Sequence, residues 1–333
     1  MIMNKLNKYI LLLVSIGVLG LLFTGCGGNQ RQANVSGGYE VTDCQGTVVK
    51  ISQKPQHVVT LSMHTDSIVL GMLPTDNLLA INYLADDPMN SNIVELGKKI
   101  SHKIKNPSVE EIFALHPDVV IANEWTGADI VGSLRELGLP VIVTKAVVGI
   151  SDVKDDIRLI AQTLQEEEKG NCIIEKMDEE MAQTAVMLNE IPEQQRKTVV
   201  LLSLMQSWGG IGCSFDSMCQ YAGVVNGMAK VGIHSGETMS KEKLIHINPD
   251  VLLLPSYNDH GTYDVTPFAQ EYLGDPSLQT INAIKIGGLR YPREGYIYNA
   301  SQDFVYGVRE IAYAAYGEAF AQPADCHISF SGE

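Results

Sequence analysis

Two stretches of this chain match when one is slid from position 108 to position 240. Residues 108–119 read Ser-Val-Glu-Glu-Ile-Phe-Ala-Leu-His-Pro-Asp-Val, and residues 240–251 read Ser-Lys-Glu-Lys-Leu-Ile-His-Ile-Asn-Pro-Asp-Val. Each copy has the same mechanical reading. Ser108 or Ser240 caps a short helix, and Pro-Asp then turns the chain into a buried strand. A supersecondary unit that recurs at this distance implies two lobes built on one plan. Glu111 reads as completing a capping box with Ser108. Glu110 and Glu242 have no such duty and fall in the first turn of each helix, facing outward. A carboxylate there complements the helix dipole by about 0.3–1 kcal/mol, but recurrence at the same place in both copies asks for a further reason.

Around the repeat, short apolar runs alternate with helical spacing. Residues 57–62, 78–82, 118–122 and 140–144 read as strands of a first lobe, and 198–204, 251–255 and 296–299 as strands of a second. That order implies parallel sheets covered by helices. Between the two sets lie two amphipathic stretches, 151–165 and 166–189. The second keeps Ile173, Met177, Met181, Ala185 and Leu188 on one face. At 1.5 Å per residue a helix of this length runs about 35 Å, enough to bridge two lobes. Gly170 in its first half costs only about 1 kcal/mol and need not break it. A closing helix is expected over 301–316. The expected organisation is a leader over 1–25, a tether over 26–38, a first lobe over 39–150, a helical connection over 151–192, a second lobe over 193–320 and a tail over 321–333.

The leader rests on Lys5 and Lys8, an apolar run near 10–23 and small residues ahead of Cys26, the layout of an export signal. The run is short for a membrane span and is interrupted by Gly17 and Gly20. Leu22-Phe23-Thr24-Gly25-Cys26 resembles the lipobox of bacterial prelipoproteins, which implies acylation of Cys26 and an extracytoplasmic, membrane-tethered protein. Residues 27–38, rich in Gly, Gln, Asn and Ser, suit a flexible tether. The formal net charge of −15 becomes more negative once Lys5 and Lys8 are removed, so nucleic acid is an unsuitable partner. Cys44, Cys172, Cys213, Cys219 and Cys326 are odd in number and lack a CxxC pair, which supports neither a disulfide framework nor a structural zinc site.

The run from Pro55 to Asp66 and the two copies of Glu-x-[Ile/Leu]-x-x-x-x-Pro-Asp-Val together resemble the class III substrate-binding proteins of ABC importers for iron–siderophore complexes, haem and cobalamin. The likeness covers about residues 55–320. It implies an α/β fold of two Rossmann-like lobes with parallel sheets joined by a single long backbone helix, no catalysis and no resident cofactor. The expected protein is a monomer that binds an iron chelate, haem or cobalamin and hands it to a permease dimer. By position, Glu110 and Glu242 match the family's docking glutamates, which suits exposed carboxylates on two rigid helix starts facing a symmetric basic partner.

Ligands of parallel-sheet lobes sit beyond the carboxyl ends of the strands. That rule selects Met63, His64, His102 and Trp125 in the first lobe, and Trp208, Tyr257, His260, Arg290 and Arg293 in the second. Trp125 and Trp208 are the only tryptophans, and aromatic faces with a few polar tips suit a large planar or chelated ligand. His64, His102 or His260 are candidates to ligate iron or cobalt, and Met63 to serve as a soft axial ligand. Arg290 and Arg293 are candidates to grip carboxylates.

Two other functions compete. A receptor for bare zinc or manganese would need convergent ligands, for which His64, His116, His246 and Asp259 come forward; but His116 and His246 are read as equivalent positions just before the two Pro-Asp turns, which makes them structural. An exported enzyme finds no Gly-x-Ser-x-Gly, no His-Glu-x-x-His and no P-loop. Gly209-Gly210-Ile211-Gly212 lacks the Lys-Ser/Thr ending and reads as a turn leading into a helix near Phe215.

Overall fold

In the computed structural model, which describes residues 38–205 and 208–333, the chain opens on an antiparallel hairpin of β1 (Tyr39–Thr42) and β2 (Val48–Ile51). The leader, Cys26 and the tether lie outside the described residues. Asp43 makes the hairpin turn by accepting from the N–H groups of Gln45 and Thr47, and Gly46 supplies a φ of 80°. Nothing in the sequence reading anticipated this hairpin.

The first lobe follows. β3 (Val58–Thr60) leads into α1 (Met63–Leu70), and β4 (Leu78–Asn82) and β5 (Lys103–Ile104) run to α2 (Val109–Ala114). β6 (Val119–Asn123), α3 (Ala128–Glu136) and β7 (Val141–Thr144) complete it. The five strands pair in parallel in the order β5-β4-β3-β6-β7. Every residue of β3, β6 and β7 is buried, which is why these strands are continuous apolar runs rather than alternating ones.

Two helices then cross to the second lobe. α4 (Ile150–Leu164) ends at Gln165, whose φ of 53° breaks the helix, and α5 (Glu167–Leu188) continues for 22 residues. That is about 33 Å of rigid rod. Gly170 has a reason to be there: a Cβ on it would lie 2.6 Å from the Cβ of Ala161, so its absence lets α5 pack directly on α4.

In the second lobe β8 (Thr198–Leu201), α6 (Ser214–Tyr221), β9 (Val225–Asn226), α7 (Lys241–Ile247), β10 (Val251–Leu253) and β11 (Leu289–Arg290) precede the closing α8 (Phe304–Tyr316). Its sheet has the order β11-β10-β8-β9, again parallel. Written from the other edge, β9-β8-β10-β11 repeats β4-β3-β6-β7 strand for strand, and the repeated segments supply α2–β6 and α7–β10. The Pro-Asp turn does the same work twice. Asp118 Oδ2 accepts from the N–H groups of Gln56 and His57 ahead of β3, and Asp250 Oδ2 accepts from Thr198 N–H at the start of β8. Each aspartate thus ties its own strand to the neighbouring one at the amino end of the sheet.

Two expectations need correction. His116 is equivalent to Asn248, not to His246: both take left-handed conformations, with φ of 51° and 48°, where the chain leaves the helix. Asn adopts that conformation readily, so the pair is a turn device. Residues 296–299 are not a strand either. The chain makes a helical turn over Glu294–Ile297, because Tyr296 is drawn inward to donate to the carbonyls of Ala324 and Cys326.

One apolar core runs from Val41 and Ile51 through Ile157, Ile160 and Ile173 of the connection to Phe215, Phe304 and Ile311 of the second lobe. Smaller clusters line the outer faces of each sheet. Truncating a buried isoleucine of this core to alanine would cost about 2–5 kcal/mol. Among the described residues no helix is long and apolar enough to cross a membrane.

Candidate ligand cleft

The carboxyl ends of both sheets face a common cleft, in which two hollows adjoin, of about 200 and 300 Å³. They share Met63, Asn90, Glu294 and Tyr298. Met63 is placed by the start of α1. Ser62 caps that helix by accepting from Thr65 N–H while the Thr65 hydroxyl answers the Ser62 backbone, so the first turn is fixed at the end of β3. At the end of β6, Asn123 Oδ1 accepts from Trp125 N–H. The indole is thereby held out at the rim, 74% exposed.

The first hollow is lined mostly by polar residues, although most of its exposed surface is apolar. Asn123, Trp125, Lys145, Trp208 and Ser214 line it. Asn90 Nδ2, Trp208 Nε1 and Ser214 Oγ, together with Asn299 Oδ1, are buried without a hydrogen-bond partner among the described residues. All four residues border this hollow. A buried polar atom left unpaired costs about 1–3 kcal/mol. Four such atoms on residues that border one hollow are a cost that a guest reaching them would remove. Three of the four atoms can donate. The second hollow is apolar, walled by Leu84, Leu204, Met205, Pro255 and Tyr257.

Charge in the cleft is sparse. Lys145 is held protonated by its hydrogen bond to Asp155, 2.8 Å away. Glu294 Oε1 accepts from Ser256 and Tyr257 N–H, and burial pushes the carboxyl up, with Asp87 adding to the effect. Hydroxyls here stay neutral, since burial raises both Tyr257 and Tyr298.

The residues chosen from sequence divide. Met63, His64, Trp125, Trp208 and Tyr257 come together on the hollows. His64 has no nitrogen to offer a metal, however. Nδ1 is 2.9 Å from the Ala300 carbonyl and Nε2 is 3.0 Å from Asp156 Oδ2, so both ring nitrogens face acceptors. His102 points away, with Nε2 2.8 Å from Glu111 Oε1. That bond also takes the carboxylate expected to close a capping box, leaving only the Glu111 N–H to Ser108 Oγ half of it.

The arginines are corrections as well. Arg290 bonds to the carbonyls of Gly287 and Leu289. Arg293 is clamped by Glu310 and the Pro323 carbonyl and lies 4.8 Å from the Tyr296 ring centroid. Neither borders the hollows, because nearer acceptors claim both guanidiniums. His260 contacts Asp86 and Asp87 at the rim. Asn90, Lys145, Ser214, Glu294 and Tyr298 were missed. Lys145 follows the end of β7, so the strand-end rule reaches it; Asn90 and Ser214 lie outside any such position. Among the described residues no three His, Cys, Asp or Glu side chains converge to hold a bare metal ion.

A family model described as periplasmic binding protein matches residues 58–291. The Fe(3+)-citrate-binding protein YfmC of Bacillus subtilis is 24% identical over 316 residues, covering 89% of this chain and 90% of its own. The molybdate-bound structure of MolA from Haemophilus influenzae superposes with a TM-score of 0.69 at 18% identity, over 85% of this chain and 92% of that one. The apo haem-binding protein RhuT of Roseiflexus sp. RS-1 gives 0.67 at 21% identity, over 80% and 99%.

Proposed function

Because the chain belongs to the periplasmic binding proteins of ABC importers, a family of solute carriers rather than enzymes, we propose that its cleft captures an iron chelate and hands it to a permease dimer. The chelate presents oxygen acceptors to Asn90, Trp208 and Ser214 and an apolar side to Leu84, Leu204, Met205 and Pro255. The observation that carries this reading is the pairing of unpartnered buried donors in one hollow with an apolar wall in the next. A bare ion would leave the apolar hollow unused. The single lysine and single glutamate on the lining favour a chelate of small net charge over a polyanion. The similarity to a ferric-citrate-binding relative along nearly the whole chain agrees with an oxygen-rich iron complex.

Haem is the second reading, on one observation: Met63 borders both hollows, where a thioether can meet a macrocycle iron. Delivery on this proposal uses Glu110 and Glu242, which are exposed on α2 and α7. Glu242 stands in a shallow depression with Lys230, Lys243 and His246. Acylated Cys26 would hold a monomeric carrier on the outer face of the membrane, beside the permease.

The test uses the two tryptophans, which both border the first hollow. Fluorescence of the purified protein is titrated with ferric citrate, a ferric hydroxamate, haemin, cyanocobalamin and zinc chloride. Saturable quenching by a ferric chelate alone supports the proposal. A Soret shift with haemin selects the second reading, and a response to zinc alone overturns both.

A further inference from the structure

The two hollows share one charged group. Glu294 borders both, and among the described residues it is the only charged side chain on the apolar one. Its place is set by its neighbours in the chain. Arg293 before it is held by Glu310, which takes both the backbone N–H and the guanidinium. Gly295 after it stands against the first lobe: a Cβ there would lie 2.8 Å from the Ser91 carbonyl carbon and 2.9 Å from the Asn92 nitrogen. Only glycine lets the backbones of the two lobes meet so closely. Tyr296 beyond it is fully buried. Glu294 therefore rides on an anchored turn at the seam between the lobes, and is itself 6% exposed.

The carboxyl is tied at one oxygen. Oε1 accepts from Ser256 N–H at 2.7 Å and from Tyr257 N–H at 3.0 Å, and both bonds end there; among the described residues Oε2 has no such partner. Holding the loop after β10 explains an acceptor at this position, but it does not explain a charge. A glutamine carbonyl would accept the same two N–H groups. Burial and the neighbouring carboxylate of Asp87 both disfavour the ionised form of Glu294. The lysine of the first hollow, Lys145, is committed to Asp155 at 2.8 Å. A buried carboxylate without a paired cation is costlier than a neutral acceptor in the same place. A guest that carries a positive donor to Oε2 removes that cost.

We propose that Glu294 determines which chelates are accepted, by receiving an ammonium group carried on the ligand arm of the iron complex. The ligand class is then a ferric chelate with a protonated amine, rather than an anionic chelate that offers acceptors alone. Each wall acts on a different part of such a guest. Asn90, Trp208 and Ser214 hold iron-bound oxygens, Leu84, Leu204, Met205 and Pro255 cover methylenes, and Glu294 at the border takes the amine. Because the turn and Oε1 are already fixed, little ordering is left to oppose binding.

This inference rests on the chelate reading above, and one experiment separates the two. Tryptophan quenching at pH 7 gives Kd for ferrioxamine B, a ferric trihydroxamate that ends in an ammonium group, and for its N-acetylated form, which keeps the iron centre and loses the charge. Wild-type protein should bind the ammonium form about tenfold tighter or more, as a charge-assisted hydrogen bond provides. Glu294→Gln keeps an acceptor for Ser256 and Tyr257 N–H, and should bring the ratio to within about twofold of one. The ratio is taken within each protein, so a change in stability alone does not move it. A wild-type ratio near or below one, a preference that persists in Glu294→Gln, or binding of ferric citrate with neither hydroxamate overturns the role of Glu294 and leaves a chelate carrier. Quenching by no ferric chelate removes the chelate reading, and this inference with it.

Discussion

Asp66 on α1 offers a sharp test of how burial sets energetics in this fold. Its side chain is fully buried. Oδ2 accepts from Asn82 N–H at 3.0 Å, and Oδ1 has no hydrogen-bond partner among the described residues. Burial pushes the carboxyl up to about 7 from an ordinary 3.8, outweighing the opposing pull of Thr60, the Asn82 N–H and Lys103. A carboxyl raised in the folded state is stabilising in its protonated form. Its contribution is fully present below the unfolded value near 3.8 and is lost as pH rises toward 7. At about 1.36 kcal/mol per pH unit, roughly three units correspond to about 4 kcal/mol. Asp66→Asn removes the titration while keeping an acceptor for Asn82 N–H. Melting temperature is measured for both proteins from pH 4.5 to 8. Taking about 2 °C per kcal/mol for a chain of this size, the variant should melt about 8 °C above wild type at pH 8 and converge with it near pH 4.5. A difference that stays constant with pH would refute the reasoning.

Three further outcomes are expected. Glu110→Ala combined with Glu242→Ala should leave chelate affinity unchanged while abolishing uptake by cells carrying the importer; unchanged uptake would remove the docking role. Arg293→Met should lower stability by about 3 kcal/mol in urea unfolding, because the buried Glu310 loses its only charge partner among the described residues and keeps just the residue-293 N–H and the Gln322 amide, yet leave ligand affinity within twofold, since the guanidinium borders neither hollow. Ser240→Ala should cost about 1 kcal/mol, as its Oγ accepts from Lys243 N–H, and a loss below about 0.3 kcal/mol would show the cap to be idle.

The parts of the fold that were legible in sequence are those fixed by local rules. Pro117-Asp118 and Pro249-Asp250 announce buried parallel strands, and the second amphipathic stretch announces the helix between the lobes. The β1–β2 hairpin was not legible. Its strands are four residues long and partly polar, and its turn depends on the Asp43 carboxylate rather than on a strong dipeptide signal. The strand-end rule reached Met63, Trp125, Trp208 and Tyr257 because strand ends follow from the apolar pattern. It placed His64 on the first hollow as well, but it could not show that the side chains of His64, Arg293 and His260 are taken by partners far along the chain: Asp156, Glu310 and Asp86. Asn90 and Ser214 come from irregular segments or a helix start, and Glu294 from the start of a helical turn just ahead of the residues misread as a strand. No periodicity points to them.

The central claim is that a chelate is held between the lobes, touching both at once. Hydrogen–deuterium exchange with and without a saturating amount of the ferric chelate that quenches the tryptophans tests it most directly. The account predicts slowed exchange both at residues 62–65 of the first lobe and at residues 203–205 and 255–257 of the second. Protection confined to one lobe, or absent from all three segments while binding is saturated, would contradict it.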